Sequence, residues 1–385
     1  MTLTPSDTKT PAQNFIHPVQ AECPQGLLAA ARDKGRLNLL VVRASAPLPM
    51  AAAFDAYQAG IARPVLVGEA DAIEAEAAAL GWDLSDITVI SATGEAEAAS
   101  VAADMLKSSL SGQSDQPIGA VMKGQLHTDV FMAALLNREV GLRIGNRLVH
   151  IFAIYPPDSG AGPILVSDAA VNVTPDEKTQ NQSMTEMCAL AKKLGHARPK
   201  LAILSATETP IASMPASMAA AERAKWAKTH LADIDISGPL SFDLALSADA
   251  VAAKGITGDA VAGHANCLLV PDIVSGNILY KALVYLGGGC AAGIVLGGAV
   301  PILLTSRADP PAATGDRPGP RHRHCRRLPD GGLLRHGRGR RRDQIWRQRR
   351  EHRPVLLHPH GAPVPQHSPQ ARVRDADHRP IHVCR

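Results

Sequence analysis

Between Asn38 and Gly124 short, almost unbroken apolar runs alternate with Ala-rich segments of helical length, and few folds accommodate that alternation. The runs are NLLVVRA (38–44), RPVLVG (63–68), TVISA (88–92) and GAVMKG (119–124). Between them lie MAAAFDAYQAG (50–60), DAIEAEAAALG (71–81) and EAEAASVAADMLKS (95–108). A strand apolar on both faces must be covered on both faces, and a helix after each strand supplies cover and crossover together. The pattern predicts an α/β fold with a parallel sheet and right-handed crossovers. It resumes downstream in HIFAI, PILVSDAA, PKLAILSA, ANCLLVP, AGIVLG and VPILLTS. At 385 residues the chain is long enough for two such domains.

Other features narrow the setting. The six cysteines (Cys23, Cys188, Cys267, Cys290, Cys325, Cys384) are far apart with no C-x-x-C pair, which argues against a metal ribbon or disulfide scaffold and fits a reducing compartment. The first fifteen residues are polar and lack an apolar core, so no export signal is expected. Ala282–Leu304 is charge-free and long enough to span a bilayer, but glycines at 287–289 and 297–298 and Pro301 interrupt it. A helix end followed by two core strands is the expectation there, not a membrane span.

The charge is unevenly distributed. From Thr314 onward there are eighteen Arg, no Lys and six acids, a net of +12 against +4 for the whole chain. Without periodic apolar residues this Arg/Pro/His-rich stretch is expected to be disordered. It could be read as a basic nucleic-acid-binding arm. The absence of Lys favours GC-rich DNA read out of frame, so nucleic-acid binding is not expected.

Residues 271–307 carry the strongest chemical signal. PDIVSGNILYK (271–281) begins with an acid-bearing turn and a Ser275-Gly276-Asn277 cap, and PILLTSR (301–307) ends a strand on Ser306 and Arg307. The C-terminal edge of an open α/β sheet is where ligands bind, and a guanidinium there suits a phosphate or carboxylate. With MKGQLHTD (122–129), LRIGNRLVHIFAI (142–154), ILVSDAAVNVTPD (164–176), LAILSATE (201–208) and GPLSFDLALS (238–247) in order, the stretch from roughly residue 35 to 313 resembles the phosphate acetyltransferase/phosphate butyryltransferase family.

That resemblance implies two three-layer α/β/α domains of isocitrate/isopropylmalate-dehydrogenase type. Domain I would comprise 1–150 plus 299–313, domain II 151–298, with the tail 314–385 outside both. It implies reversible exchange of an acetyl or other short acyl group between coenzyme A and phosphate in a cytoplasmic homodimer. Coenzyme A would be a substrate, with no cofactor and no metal ion. A phosphate butyryltransferase, or a catalytically impaired member, is the alternative. The decarboxylating dehydrogenases that share the fold would need an acidic metal cluster and a nucleotide signature, and the sequence has neither.

Site residues follow position by position. Ser306 and Arg307 would hold the phosphate, with Arg147 as a second cleft arginine and Arg143 four residues earlier. The better-known acetyltransferases carry an aspartate seven residues beyond the Ser-Arg serine, proposed to help deprotonate coenzyme A. Here that position is Ala313, and Asp309 is the nearest acid. Lys123 and Gly124 end a strand where backbone could approach a ligand. His127 and Thr128 follow at once, and a His there could exchange protons or simply cap a helix. Asp168 and Asn172 are read as a cleft-lining turn or a helix N-cap. Gly276 and Asn277 are read as opening a helix whose N–H groups could hold substrate, with Lys281 one turn on.

Overall fold

A computed structural model describes residues 24–157 and 162–304. Among these, eleven strands form one sheet. They are β1 (Leu37–Val42), β2 (Ala62–Gly68), β3 (Thr88–Ser91), β4 (Ile118–Lys123), β5 (Val149–Tyr155), β6 (Ile164–Ser167), β7 (Lys200–Leu204), β8 (Asp235–Leu240), β9 (Cys267–Leu269), β10 (Cys290–Leu296) and β11 (Ile302–Leu304). Their order across the sheet is β3-β2-β1-β4-β11-β10-β5-β6-β9-β7-β8. Helices α1 (Gln25–Arg32), α2 (Pro47–Gln58), α3 (Ala70–Leu80), α4 (Gly94–Leu110) and α5 (Thr128–Leu135) belong to the first half of the sequence. The second half carries α6 (Glu177–Lys193), α7 (Pro215–His230), α8 (Phe242–Leu246), α9 (Ala248–Ala253) and α10 (Ile273–Tyr285).

Strict alternation of side chains puts each apolar strand in two cores at once. In β1, Leu40 and Val42 join the core under α4 and α5, while Leu39 and Val41 join the core under α2 and α3. In β7, Leu201 and Ile203 face α6 and α7, whereas Ala202 and Leu204 lie in the core that includes Leu244 of α8 and Tyr280 of α10. Each half is therefore three layers thick, as the unbroken apolar runs require.

The strands are not all parallel, contrary to the expectation from sequence. β10 pairs antiparallel with both β11 and β5, and β5 pairs antiparallel with β6. A run of apolar residues signals burial without signalling direction. The consequence is that β4 and β11 end at the opposite edge of the sheet from β6, and β5 begins at the edge where β6 ends. The charge-free run 282–304 resolves into the end of α10 followed by β10 and β11. Among the described residues no helix is long and apolar enough to cross a membrane. The tail 314–385 lies outside the described residues.

Candidate active site

Where β6 ends and β5 begins, one carboxylate organises the backbone. Asp168, only 2% exposed, accepts four hydrogen bonds. Its Oδ1 takes the N–H groups of Ala170 and Val171, both at 3.0 Å. Its Oδ2 takes the His150 N–H at 3.0 Å and the Asn172 side-chain amide at 2.6 Å. Asn172 also donates to the Leu148 carbonyl at 2.9 Å, fastening the turn to the approach to β5. Asp168 is thus the buried anchor of a turn and not a helix cap, since α6 begins only at Glu177.

The start of α10 packs on the same turn. A Cβ at Gly276 would strike the Asp168 carbonyl and meet the Ala169 Cα, so only glycine lets the helix approach this closely. The Asn277 amide donates to the Ala169 carbonyl at 3.3 Å. The cap expected at Ser275–Asn277 lies earlier. Asp272 is the N-cap, accepting from Ser275 N at 2.8 Å and Ser275 Oγ at 2.9 Å. Gly276 and Asn277 are the fourth and fifth helical residues, committed to the 168–172 turn.

Beside this turn lies a cleft of about 390 Å³ whose lining includes Met132, Arg143, Asn146, Arg147, Val171 and Asn172. Arg143 bridges Gly298, the second residue past β10, so this loop lies against the chain leading to β11. Arg147 is exposed and pairs with Asp176 at 2.9 Å. Asp176 is also the N-cap of α6, and the Thr179 hydroxyl and N–H, then Arg147, hold its carboxyl below the usual range.

The chain is similar to known proteins over most of its length. A family model described as phosphate acetyl/butaryl transferase matches residues 111–312. The phosphate acetyltransferase of Rickettsia prowazekii (strain Madrid E) is 36% identical over 313 residues, spanning 79% of this chain and 82% of the relative. The phosphate butyryltransferase of Clostridium acetobutylicum is 34% identical over 256 residues, 66% of this chain and 82% of the relative. The chain belongs to the phosphate acetyl/butyryl transferase family. Among solved structures, the branched-chain phosphotransacylase of Enterococcus faecalis V583 superposes with a TM-score of 0.59 at 26% identity, covering 71% of this chain and 93% of that one. A phosphotransacetylase from Streptococcus pyogenes, at 21% identity and a TM-score of 0.62, shares the fold over 74% of this chain and 94% of its own. The α/β architecture and the acyltransferase activity expected from the motifs both stand.

For a phosphate acyltransferase, the candidate residues divide between two edges of the sheet. Arg143, Arg147, Asp168, Asn172, Gly276 and Asn277 gather where β6 ends. Lys123, Gly124, His127 and Thr128 lie where β4 ends, at the opposite edge. Lys123 is buried, its ammonium donating to the Gly124 carbonyl at 3.2 Å and the Leu126 carbonyl at 3.0 Å, so it closes its own loop. Gly124 does permit a close approach, but to the carbonyls of Val42 and Arg43. Thr128 is the exposed first residue of α5. Lys281 extends over the rings of Tyr280 (5.2 Å) and Tyr285 (5.8 Å) on its own helix. Ser306, Arg307 and Asp309 lie outside the described residues.

Several charged or buried groups were not picked out from sequence. Arg43, Glu69 and Glu95 meet from the ends of β1 and β2 and the first turn of α4, with Arg43 reaching Glu69 and Glu95 at 3.3 Å each. The Ser45 hydroxyl, with lesser help from Gly94 N–H and Arg43, brings Glu69 down to about 2. His150 is fully buried, and burial lowers its imidazole to about 4 against the opposing pull of Asp168. A polar residue directly after each apolar run was the only available signal for Arg43 and Glu69. His150, inside such a run, carried none. Among the described residues no group of three His, Cys, Asp or Glu could hold a metal ion.

Proposed function

We propose that this acyltransferase moves a short acyl group reversibly between the thiol of coenzyme A and inorganic phosphate, with acetyl the first substrate and butyryl the second. The observation that supports this reading is the cleft carrying Arg143, Arg147, Asn146 and Asn172 beside the Asp168-anchored turn. Both substrates are anions, and guanidinium groups on a cleft wall hold phosphates through paired hydrogen bonds. The Asp168 turn supplies rigidity at no cost in mobile side chains. Acyl exchange draws much of its rate from such fixed positioning.

In this reading Ser306 and Arg307 bind the transferring phosphate, Asp309 is the nearest acid to them, and Arg143 and Arg147 receive the phosphates of coenzyme A. Coenzyme A enters as substrate, and no metal or further cofactor takes part. The two-domain division, 1–150 with 299–313 and then 151–298, is part of the proposal. So are a cytoplasmic location and a homodimer, the last supported by two large aliphatic side chains on α10, Val274 at 63% and Ile278 at 64% exposed.

The test is acylation of coenzyme A from acetyl phosphate and from butyryl phosphate by the full chain and by Arg307→Ala and Arg147→Ala. The expected loss is ~10²-fold or more in kcat for Arg307→Ala. Arg147→Ala should raise KM for coenzyme A several-fold with kcat nearly kept, the signature of lost ground-state binding. A folded parent chain inactive on both acyl phosphates would overturn the reading.

A further inference from the structure

The edge of the sheet where β1, β2 and β4 end carries a linked set of side chains from four neighbouring connections and helix starts. Arg43 follows β1, Glu69 follows β2, Glu95 lies in the first turn of α4 and His127 immediately precedes α5. Arg43 Nη1 donates to Glu95 Oε1 at 3.3 Å and to the Gln125 carbonyl at 2.8 Å. Glu95 Oε2 accepts the His127 backbone N–H at 3.0 Å, and the Glu95 carboxylate meets His127 Nδ1 at 2.8 Å. A carboxylate on Nδ1 fixes the tautomer that carries its proton there, which leaves Nε2 as the basic nitrogen. The His127 side chain is 61% exposed while Glu95 is 25% exposed, so the ring is presented outward on a held support.

The position is equally specific. The chain runs outward from β1 to β2 and β3 and then returns to β4 on the other side of β1, which makes the β1/β4 junction a switch point where open α/β sheets bind ligands. β11 runs parallel to β4 with Leu304 opposite Lys123, and Ser306 and Arg307 follow Leu304 by two and three residues in sequence.

We propose that His127 is the proton acceptor for the coenzyme A thiol and that Glu95 is its positioning residue; this rests on the acyl-transfer reading above. The thiol S–H breaks with its proton passing to Nε2. The sulfur forms a C–S bond to the acyl carbon of the acyl phosphate. The C–O bond to phosphorus breaks, its electron pair leaving with the phosphate. The imidazolium then returns its proton to a phosphate oxygen, so the enzyme ends as it began. Glu95 stabilises the imidazolium in between. The His127 backbone N–H and ring nitrogen, and only then Arg43, hold the Glu95 carboxyl below its usual range, which keeps it ionised, a poor base itself and a steady partner. The other charged groups on neighbouring elements are Glu69, itself paired with Arg43, Lys123, closed on its own loop, and Asp129 in the first turn of α5.

The experiment measures kcat/KM against pH with acetyl phosphate and coenzyme A for the parent chain, His127→Ala, Glu95→Gln and Arg307→Ala, with melting temperatures alongside. His127→Ala should keep its melting temperature, lose ~10²–10⁴-fold in rate, lose the acid limb of the profile and recover partly with added imidazole. Glu95→Gln should shift that limb to lower pH, a change that a merely structural role would not produce. A His127→Ala chain within ~3-fold of the parent and with the same acid limb overturns the proposal while the acyl-transfer reading stands. An inactive parent removes the reading and this role together. An active parent silenced by Arg307→Ala but not by His127→Ala removes only the role.

Discussion

At the scale of single residues, burial decides two outcomes at the Asp168 turn. His150 has neither ring nitrogen hydrogen-bonded among the described residues, and burial holds its imidazole near 4 against an ordinary 6.5. As pH falls through 6.5, the unfolded chain gains a proton that the folded chain refuses until about 4. Stability is therefore lost across that window, by on the order of 3 kcal/mol. His150→Leu should flatten the decline in urea midpoint between pH 7 and 4.5, without a large loss at pH 7, because it removes polar atoms that lack partners. An unchanged pH slope would sink this account. Asp168→Asn should be far more costly, since an amide presents donors to a site built from four donors. We expect about 2–4 kcal/mol, read as a fall in melting temperature. The sequence singled out Asp168 and Asn172 because a polar pair after an apolar strand is a local signal, but it left open a turn or a helix N-cap. It could not reveal that His150, eighteen residues earlier, supplies a third member, because that contact exists only once β5 and β6 pair.

At the scale of elements, α10 sets helix propensity against packing. Gly276 sits inside the helix, where Ala is ordinarily better by about 1 kcal/mol. Here a Cβ would run into the Asp168 carbonyl and sit 3.1 Å from the Ala169 Cα, backbone atoms that cannot turn aside. Overpacking wins, so Gly276→Ala should destabilise by about 1–3 kcal/mol and disturb the turn that borders the cleft. Thermal melting reads the sign directly, and a stabilised variant would refute the packing argument. The strands show where sequence reading succeeds and fails. β1, β2, β4 and β7 fall within a residue or two of their apolar runs, because each is buried on both faces. β8, reading DISGPL, was not picked out as a strand, since Gly-Pro reads as a turn. It is the edge strand beside β7, where a missing ladder donor is tolerated. The antiparallel sense of β5 and β10 was equally hidden, because pairing direction depends on partners far along the chain.

At the scale of the whole molecule, the continuity of the sheet explains how the candidate residues come to lie at two edges. β5 and β10 pair over seven residues and reverse the strand direction between the α2–α5 side and the α6–α10 side. The family's motifs located the loops but could not say which edge each one reaches. The same half that carries the Asp168 turn also exposes α10, on which Val274, Ile278 and Tyr285 recur at helical spacing along one face. Two large aliphatic side chains left more than 60% exposed on one helix mark an interaction surface. In the homodimer proposed above, a second copy of the chain would cover that face. The double variant Val274→Glu/Ile278→Glu should still fold, because neither residue is in the core. In sedimentation equilibrium it should shift from dimer to monomer, since placing carboxylates in an apolar contact costs at least ~2 kcal/mol, about thirtyfold in the dissociation constant. A parent chain that sediments as a monomer, or a double variant that stays dimeric, would remove α10 from the interface.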